Sequence, residues 1–164
     1  MNTCEEDMRV GKSEEVAVLP YLRSYFNDTL ELVKEEFEAH DYKGANGTKY
    51  EIKTRDLKSD GHHAKEGLMI NVAKVAHNDY IIWNLLDGIF YISCDEVFGD
   101  ETMKPVKHTN TLRPDEPEDT NTTKWVYLIP IEKTKTIKIY ETPRSPKEKN
   151  GGLKRGVCYI RLEY

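Results

Sequence analysis

Residues 80–94 constrain the fold more than any other stretch of this chain. They read Tyr-Ile-Ile-Trp-Asn-Leu-Leu, then Asp-Gly, then Ile-Phe-Tyr-Ile-Ser-Cys. Two β-rich runs around Asp87-Gly88 predict a β-hairpin with a type I′ turn, because Asp-Gly tolerates the positive φ that such a turn needs. Both runs are nearly continuous in apolar character, which predicts central strands covered on both faces. The expected class is therefore α/β: a mixed central sheet flanked by helices. The length of 164 residues favours one domain, 1–164, with a real core. No internal repeat and no linker divides it.

The flanking segments supply candidate elements. Val16, Leu19, Leu22 and Phe26 follow helical spacing, with Ser13 as a cap ahead of Glu14 and Glu15. Pro20 predicts a kink or a split in that helix, and residues 1–12 read as a mobile lead-in. Residues 29–37 read as a short extended piece. Residues 69–77 predict a helix with Ile70, Ala73 and Val75 or Ala76 inward and Lys74 on the other side. A further helical turn begins near Glu96. Residues 99–122, rich in Pro and acids, read as a long loop. Strands are expected over 124–131, 134–140 and 156–164, a β-rich C-terminal addition interrupted by a basic loop at 143–152.

Composition narrows the setting. No run approaches the roughly eighteen apolar residues of a membrane span, and the acidic N-terminus lacks the apolar region of a signal peptide. Cys4, Cys94 and Cys158 are odd in number and far apart, so they fit neither a disulfide framework nor a metal knuckle. An intracellular, cytoplasmic setting without membrane contact is expected. The formal net charge of −5 disfavours nucleic-acid binding, since phosphates are neutralised by Lys and Arg. The distribution offsets this, because Lys53, Arg55, Lys58, His62, His63 and Lys65 cluster in one stretch and a second basic cluster follows Lys133. The adjacent histidines read as part of a solvated or substrate-facing loop in preference to a zinc site.

The chemistry-bearing stretch is residues 41–55. Gly44, Asn46 and Gly47 form a turn, and alternation over 48–54 sends Tyr50 and Ile52 one way, Glu51 and Lys53 the other. Asp41 can reach back across the turn towards Glu51 and Lys53. Two carboxylates beside an ammonium at a sheet edge suit a hard cation such as Mg²⁺, which takes a few carboxylate oxygens and leaves other positions to water and phosphate. The lysine would then stabilise an attacking hydroxide or the charge that develops at phosphorus. At about 100° per residue, Glu15 lies within about 40° of the apolar face of its helix. It is either exposed in the first turn or turned towards the same site.

The order of a helix with an acid, Asp41, Glu51-x-Lys53, a helix and an apolar hairpin resembles the core of the PD-(D/E)xK nuclease superfamily, which includes many restriction endonucleases and Holliday junction resolvases. His40-Asp41 stands where the superfamily pattern has Pro-Asp. Residues 11–98 also look like small nuclease-like proteins of phages and large DNA viruses; the resemblance leaves 99–164 uncovered. It implies a restriction-endonuclease-like fold and a Mg²⁺-dependent endonuclease acting on DNA, with Mn²⁺ as a substitute. It further implies metal ligation by Asp41, Glu51 and the Ile52 carbonyl, with Glu15 binding a second metal or orienting a metal-bound water. Lys53 would act on the attacking water, and Arg55, Lys58, Lys65 and Lys74 would contact phosphates. A homodimer follows by analogy only. Two rival readings remain: a non-catalytic nucleic-acid- or protein-binding member of the same fold, and an acidic inhibitor or nucleic-acid mimic.

Overall fold

A computed structural model describes residues 4–33, 41–109 and 124–145, with the backbone alone for 4–13. In chain order the elements are α1 (Cys4–Phe26), β1 (Glu31–Leu32), β2 (Tyr42–Lys43), β3 (Lys49–Thr54), α2 (His62–Glu66), β4 (Leu68–Asn71), α3 (Val72–Ala76), β5 (Tyr80–Asn84), β6 (Gly88–Ser93), α4 (Cys94–Gly99), β7 (Val106–His108), β8 (Lys124–Ile129) and β9 (Lys135–Ile139). They form a mixed α/β structure with two sheets among the described residues. The larger has strand order β1-β2-β3-β5-β6-β9, and the smaller β4-β8-β7. The pair β3 and β5 is parallel; the other pairs are antiparallel.

Strands β5 and β6 lie inside the large sheet, as their apolar character predicts, and each face carries its own core. Ile81, Trp83, Phe90 and Ile92 pack with Leu68, Ile70, Tyr127 and Ile129 of the small sheet and with Ala64 and Val75 of α2 and α3. Ile82, Ile89, Tyr91, Tyr50 and Ile52 pack on the other face against Val18, Leu19 and Leu22 of α1. Register ties Glu51 to Ile81 and Lys53 to Trp83, so these two charged residues belong to the face covered by the small sheet. No helix among the described residues is long and apolar enough to cross a membrane.

Four local expectations are corrected. Helix α1 begins at Cys4 and runs unbroken to Phe26, so Ser13 is an interior residue and no cap. It passes through Pro20 because the hydrogen bond lost there belongs to the carbonyl of Val16, and both residues are exposed, leaving that carbonyl to water. Residues 69–77 are not one helix: Leu68 and Ile70 alternate inward on β4, opposite Ile129 and Tyr127, and only Val72–Ala76 is helical. Finally, the hairpin turn is displaced by one residue. The Leu85 amide donates to the Gly88 carbonyl at 2.8 Å, which puts Leu86-Asp87 at the tip, and no positive φ occurs there. Asp87 instead accepts from the amide and hydroxyl of Ser59. Gly88 belongs to β6, where a Cβ would stand 2.6 Å from the Lys138 carbonyl of β9. The expected strand at 156–164 and the His40 side chain lie outside the described residues.

The Asp41-bearing turn and the segment after β3 are both fastened. Gly47 takes the turn with φ +83°, and the Asp28 carboxylate accepts from the Ala45 amide at 2.8 Å and the Tyr50 hydroxyl at 2.8 Å. Arg144 bridges Glu14 of α1 at 3.2 Å, Asp56 at 3.0 Å and the Arg55 carbonyl at 3.0 Å.

Ile82 is fully buried in the α1-side core. Ile82→Ala should lower the free energy of unfolding by about 2–5 kcal/mol, whereas Ile139→Ala, at a residue 57% exposed, should change it by about 0.5 kcal/mol or less. Denaturant titration of both variants measures the difference, and equal losses would mean that β5 is not central to the core.

Candidate metal and phosphate site

Asp41 precedes β2 and replaces the next rung of its ladder with its own side chain. Its amide donates to the Tyr50 carbonyl at 3.1 Å, and its Oδ2 accepts from the Ile52 amide at 3.1 Å. In an extended strand the amide and carbonyl of one residue point to the same side. The Ile52 carbonyl is thereby directed to the side where Asp41 stands. The pairing of Tyr42 with Tyr50 brings Asp41 beside Glu51.

Glu51 is 1% exposed. Its Oε1 takes two ammonium groups, Lys53 Nζ at 3.2 Å and Lys74 Nζ of α3 at 3.2 Å. Its Oε2 is buried with no hydrogen-bond partner among the described residues. Burial raises the Glu51 carboxyl above its ordinary value, and the Asp41 charge raises it further, while Lys53 and Lys74 pull it back only in part. Lys124, at the start of β8, is lowered by burial and by the neighbouring Lys53 charge. Lys53 and Lys74 therefore close on the Glu51 carboxylate, and Lys124 lies within charge reach of Lys53.

Asp41, Glu51, Lys53 and Lys74 are thus brought together. Lys74 serves as a partner of Glu51, a role that the helical spacing of 69–77 did not suggest. Glu15 belongs to α1, which packs on the face of the large sheet opposite Glu51; it acts on the Tyr42 hydroxyl, which is raised first by burial, then by the Glu15 charge and then by the Asp41 charge. Among the described residues no group of three or more His, Cys, Asp or Glu side chains could hold a metal ion. The Arg55 guanidinium folds back onto the Thr54 carbonyl at 3.0 Å. Lys58 and Lys65 are exposed, on the following loop and on α2. His62 and His63 face Glu66 within α2, His62 at 2.8 Å, which answers the pair locally. Lys124 was not anticipated; only tertiary folding brings it near Lys53, and its sequence signal is no more than the first position of a strand.

The donor set fits a hard divalent cation. Two adjacent carboxylates of like charge, one with an orphaned buried oxygen, gain a shared partner from such an ion, and the Ile52 carbonyl adds a third oxygen. A set with so few protein oxygens suits Mg²⁺, which keeps several positions for water and phosphate.

A separate cavity of about 540 Å³ opens on the α1 face, between Phe26, Asp28, Tyr50, Tyr80, Asp79 and Asp95. Tyr50 and Tyr80 stack in its wall. Asp28 is committed to the turn, and Asp79 Oδ2 accepts from the Lys49 amide at 2.8 Å, so this cavity is built into the scaffold and does not adjoin Glu51.

In comparisons with known proteins, no family model matches the chain and no curated protein matches it.

The raised Glu51 carboxyl has a signed consequence for the metal-free protein. The folded state holds this proton to higher pH than the unfolded chain, whose ordinary value is 4.5. Between that value and the raised one, the group contributes a fall in stability as pH increases. Glu51→Gln lacks the titration, so wild type should lose stability relative to it as pH climbs above 4.5. Chemical unfolding of both proteins in chelator at a series of pH values measures this, and parallel curves would contradict it.

Proposed function

We propose that this chain is a metal-dependent nuclease with a restriction-endonuclease-like fold that hydrolyses DNA phosphodiester bonds. The observation that carries the proposal is the buried Glu51 with Asp41 beside it, one oxygen covered by two lysines and the other without a partner. The mixed sheet and the placement of Glu51-x-Lys53 on its parallel central pair support the same reading.

In this reading Asp41, Glu51 and the Ile52 carbonyl would hold Mg²⁺ or Mn²⁺. When bound, the ion would polarise the phosphate and lower the pKa of a water molecule. Lys53 would orient the attacking water and offset the negative charge that grows as its oxygen bonds to phosphorus and the P–O bond to the leaving oxygen breaks. Lys74 keeps Glu51 ionised and positioned while Lys53 acts. Lys124 adds positive charge towards the incoming phosphate. The roles of Arg55, Lys58 and Lys65 are confined to outlying phosphate contacts. Glu15, on the far face, is given no catalytic part.

A second reading rests on the same triad. Lys53 and Lys74 already close on Oε1, and such a bridged carboxylate also serves a non-catalytic DNA-binding member of this fold.

Lys53→Ala separates the two. It leaves Lys74 on the same Glu51 oxygen, so it does not strand the carboxylate. Cleavage of plasmid and short duplexes in Mg²⁺ or Mn²⁺ should fall by about 10²–10³-fold, with little loss of DNA affinity. Asp41→Asn retains an oxygen for the Ile52 amide but removes a charge, so it should abolish cleavage by weakening metal binding in a Mn²⁺ titration. Equal cleavage by wild type and Lys53→Ala would refute the mechanism. Absence of both metal binding and cleavage in folded wild type, on methylated and unmethylated DNA, would favour the second reading.

A further inference from the structure

The cavity of about 540 Å³ on the α1 face has one sign of charge. Its walls come from separate parts of the chain: the end of α1, the turn 45–48 with Tyr50, the start of β5, and the junction of β6 with α4. Its charged residues are Asp28, Asp79 and Asp95, and among the described residues no lysine, arginine or histidine lines it. It also lies at the C-terminal end of α1, which Asn27 closes with φ +49°. A helix macrodipole has its negative end there. Such a place disfavours a phosphate and favours a cation.

The carboxylates stand at two ends of an aromatic wall. Tyr50 and Tyr80 are register partners on the parallel strands β3 and β5, with ring centroids 5.5 Å apart and planes inclined by 16°. Phe26 packs on both, at 5.2 and 4.9 Å. Asp28 marks the hydroxyl end of Tyr50, which donates to it at 2.8 Å. Asp79 marks the backbone end, because its Oδ2 accepts from the amide of Lys49, the residue before Tyr50, at 2.8 Å. Asp95 belongs with Asp79, since the Cys94 amide donates to the Asp79 carbonyl at 2.9 Å. One carboxylate and a pair of carboxylates are thus separated by the length of a tyrosine side chain. Asp28 already accepts from the Thr29 and Ala45 amides and contributes mainly charge. Asp95 and the Tyr80 hydroxyl make no hydrogen bond or ion pair among the described residues. A bare metal ion does not suit this spread of oxygens, and no group of three or more acids among the described residues could hold one.

We propose that this cavity binds an aliphatic diamine or polyamine, with one ammonium at Asp79 and Asp95, another towards Asp28, and the methylene chain along the wall of Phe26 and Tyr80. Each ammonium meets a carboxylate, and the methylenes between them cover half-buried aromatic surface. A ligand with a single ammonium would leave one end of the cavity unmatched. The proposal does not rest on the nuclease reading, because Tyr50, Tyr80 and Phe26 belong to the α1-side core, across the sheet from Glu51.

The test is isothermal titration calorimetry of the full chain at low salt and neutral pH. The probes are diaminobutane and spermidine, with butylamine and acetyl-lysine amide as monoamines. Diaminobutane and spermidine should bind with one-to-one stoichiometry, and each monoamine about tenfold or more weakly, as expected for one lost charge-assisted contact. Asp95→Asn, at an exposed residue, should weaken spermidine binding by about tenfold and reduce the rise in Tm that spermidine gives the wild type. Asp79→Asn keeps an oxygen for the Lys49 amide and should act in the same direction. Glu101→Gln, at an exposed acid outside this cavity, should leave the affinity unchanged. Absence of saturable binding, or equal affinity of Asp95→Asn and wild type, would overturn the proposal. Equal losses in Glu101→Gln and Asp95→Asn would also overturn it, by tracing the binding to the acidic surface at large. Acetyl-lysine amide binding as tightly as diaminobutane would overturn it in favour of a receptor for a lysine side chain. Should Asp79→Asn fail to fold, Asp95→Asn and the monoamines still decide it.

Discussion

Glu51 is a carboxylate held almost wholly out of water, and the arrangement around it follows from that burial. Desolvation disfavours its charge, and Asp41 adds repulsion. Lys53 and Lys74 oppose both effects through one oxygen. Removing every partner of a buried charge costs far more than a pair itself contributes, so at least one of the two lysines has to stay on that oxygen. One comes from β3 itself and the other from α3, within the crossover that joins β3 to its parallel neighbour β5. The carboxylate thereby couples the crossover to the strand.

That coupling has meaning only because β3 cannot move freely. Its Tyr50 and Ile52 side chains are locked into the α1-side core, where Phe26, Tyr50, Tyr80 and Tyr91 make edge and tilted ring contacts. Asp28 fastens the turn that precedes the strand, and its carboxyl is held low chiefly by the Ala45 amide and next by the Tyr50 hydroxyl. Arg144 fastens the segment that follows, binding two carboxylates and a carbonyl from separate parts of the chain. Geometry at the site is therefore set by packing on the far face of the sheet.

The sequence made some of this legible and withheld the rest for identifiable reasons. The central strands were readable because Ile81 to Trp83 and Ile89 to Ile92 are apolar on both sides, which solvent-facing strands are not. The adjacency of Asp41, Glu51 and Lys53 was readable because a short turn and a period of two fix it locally. The strand at Leu68–Asn71 was missed because four residues that run directly into a helix resemble the first turn of that helix. The turn at Leu86-Asp87 was misjudged because the close approach of the Lys138 carbonyl, a long-range contact, explains Gly88 better than turn conformation does. Glu15 looked inward on its helix; α1 packs on the face of the sheet opposite Glu51, where the Glu15 and Asp41 charges both act on the Tyr42 hydroxyl. Single-helix periodicity carries no information about which side of a sheet the helix covers.

A chain of net charge −5 can still present a positive site, because only nearby charges matter once salt screens the rest. Around Glu51 the acids are crowded together and so are the bases. Burial first and then Asp41 raise Glu51, and burial first and then Lys53 lower Lys124; the second cause in each is repulsion between like charges that folding has forced together. A cation between the carboxylates would relieve the first repulsion, and a phosphate among the lysines would relieve the second. The two ligands would also attract each other, so binding of either should favour binding of the other through electrostatics alone. In the nuclease reading, this reciprocity means that metal and DNA assemble the site jointly, with neither requiring a rearrangement of the sheet that holds it.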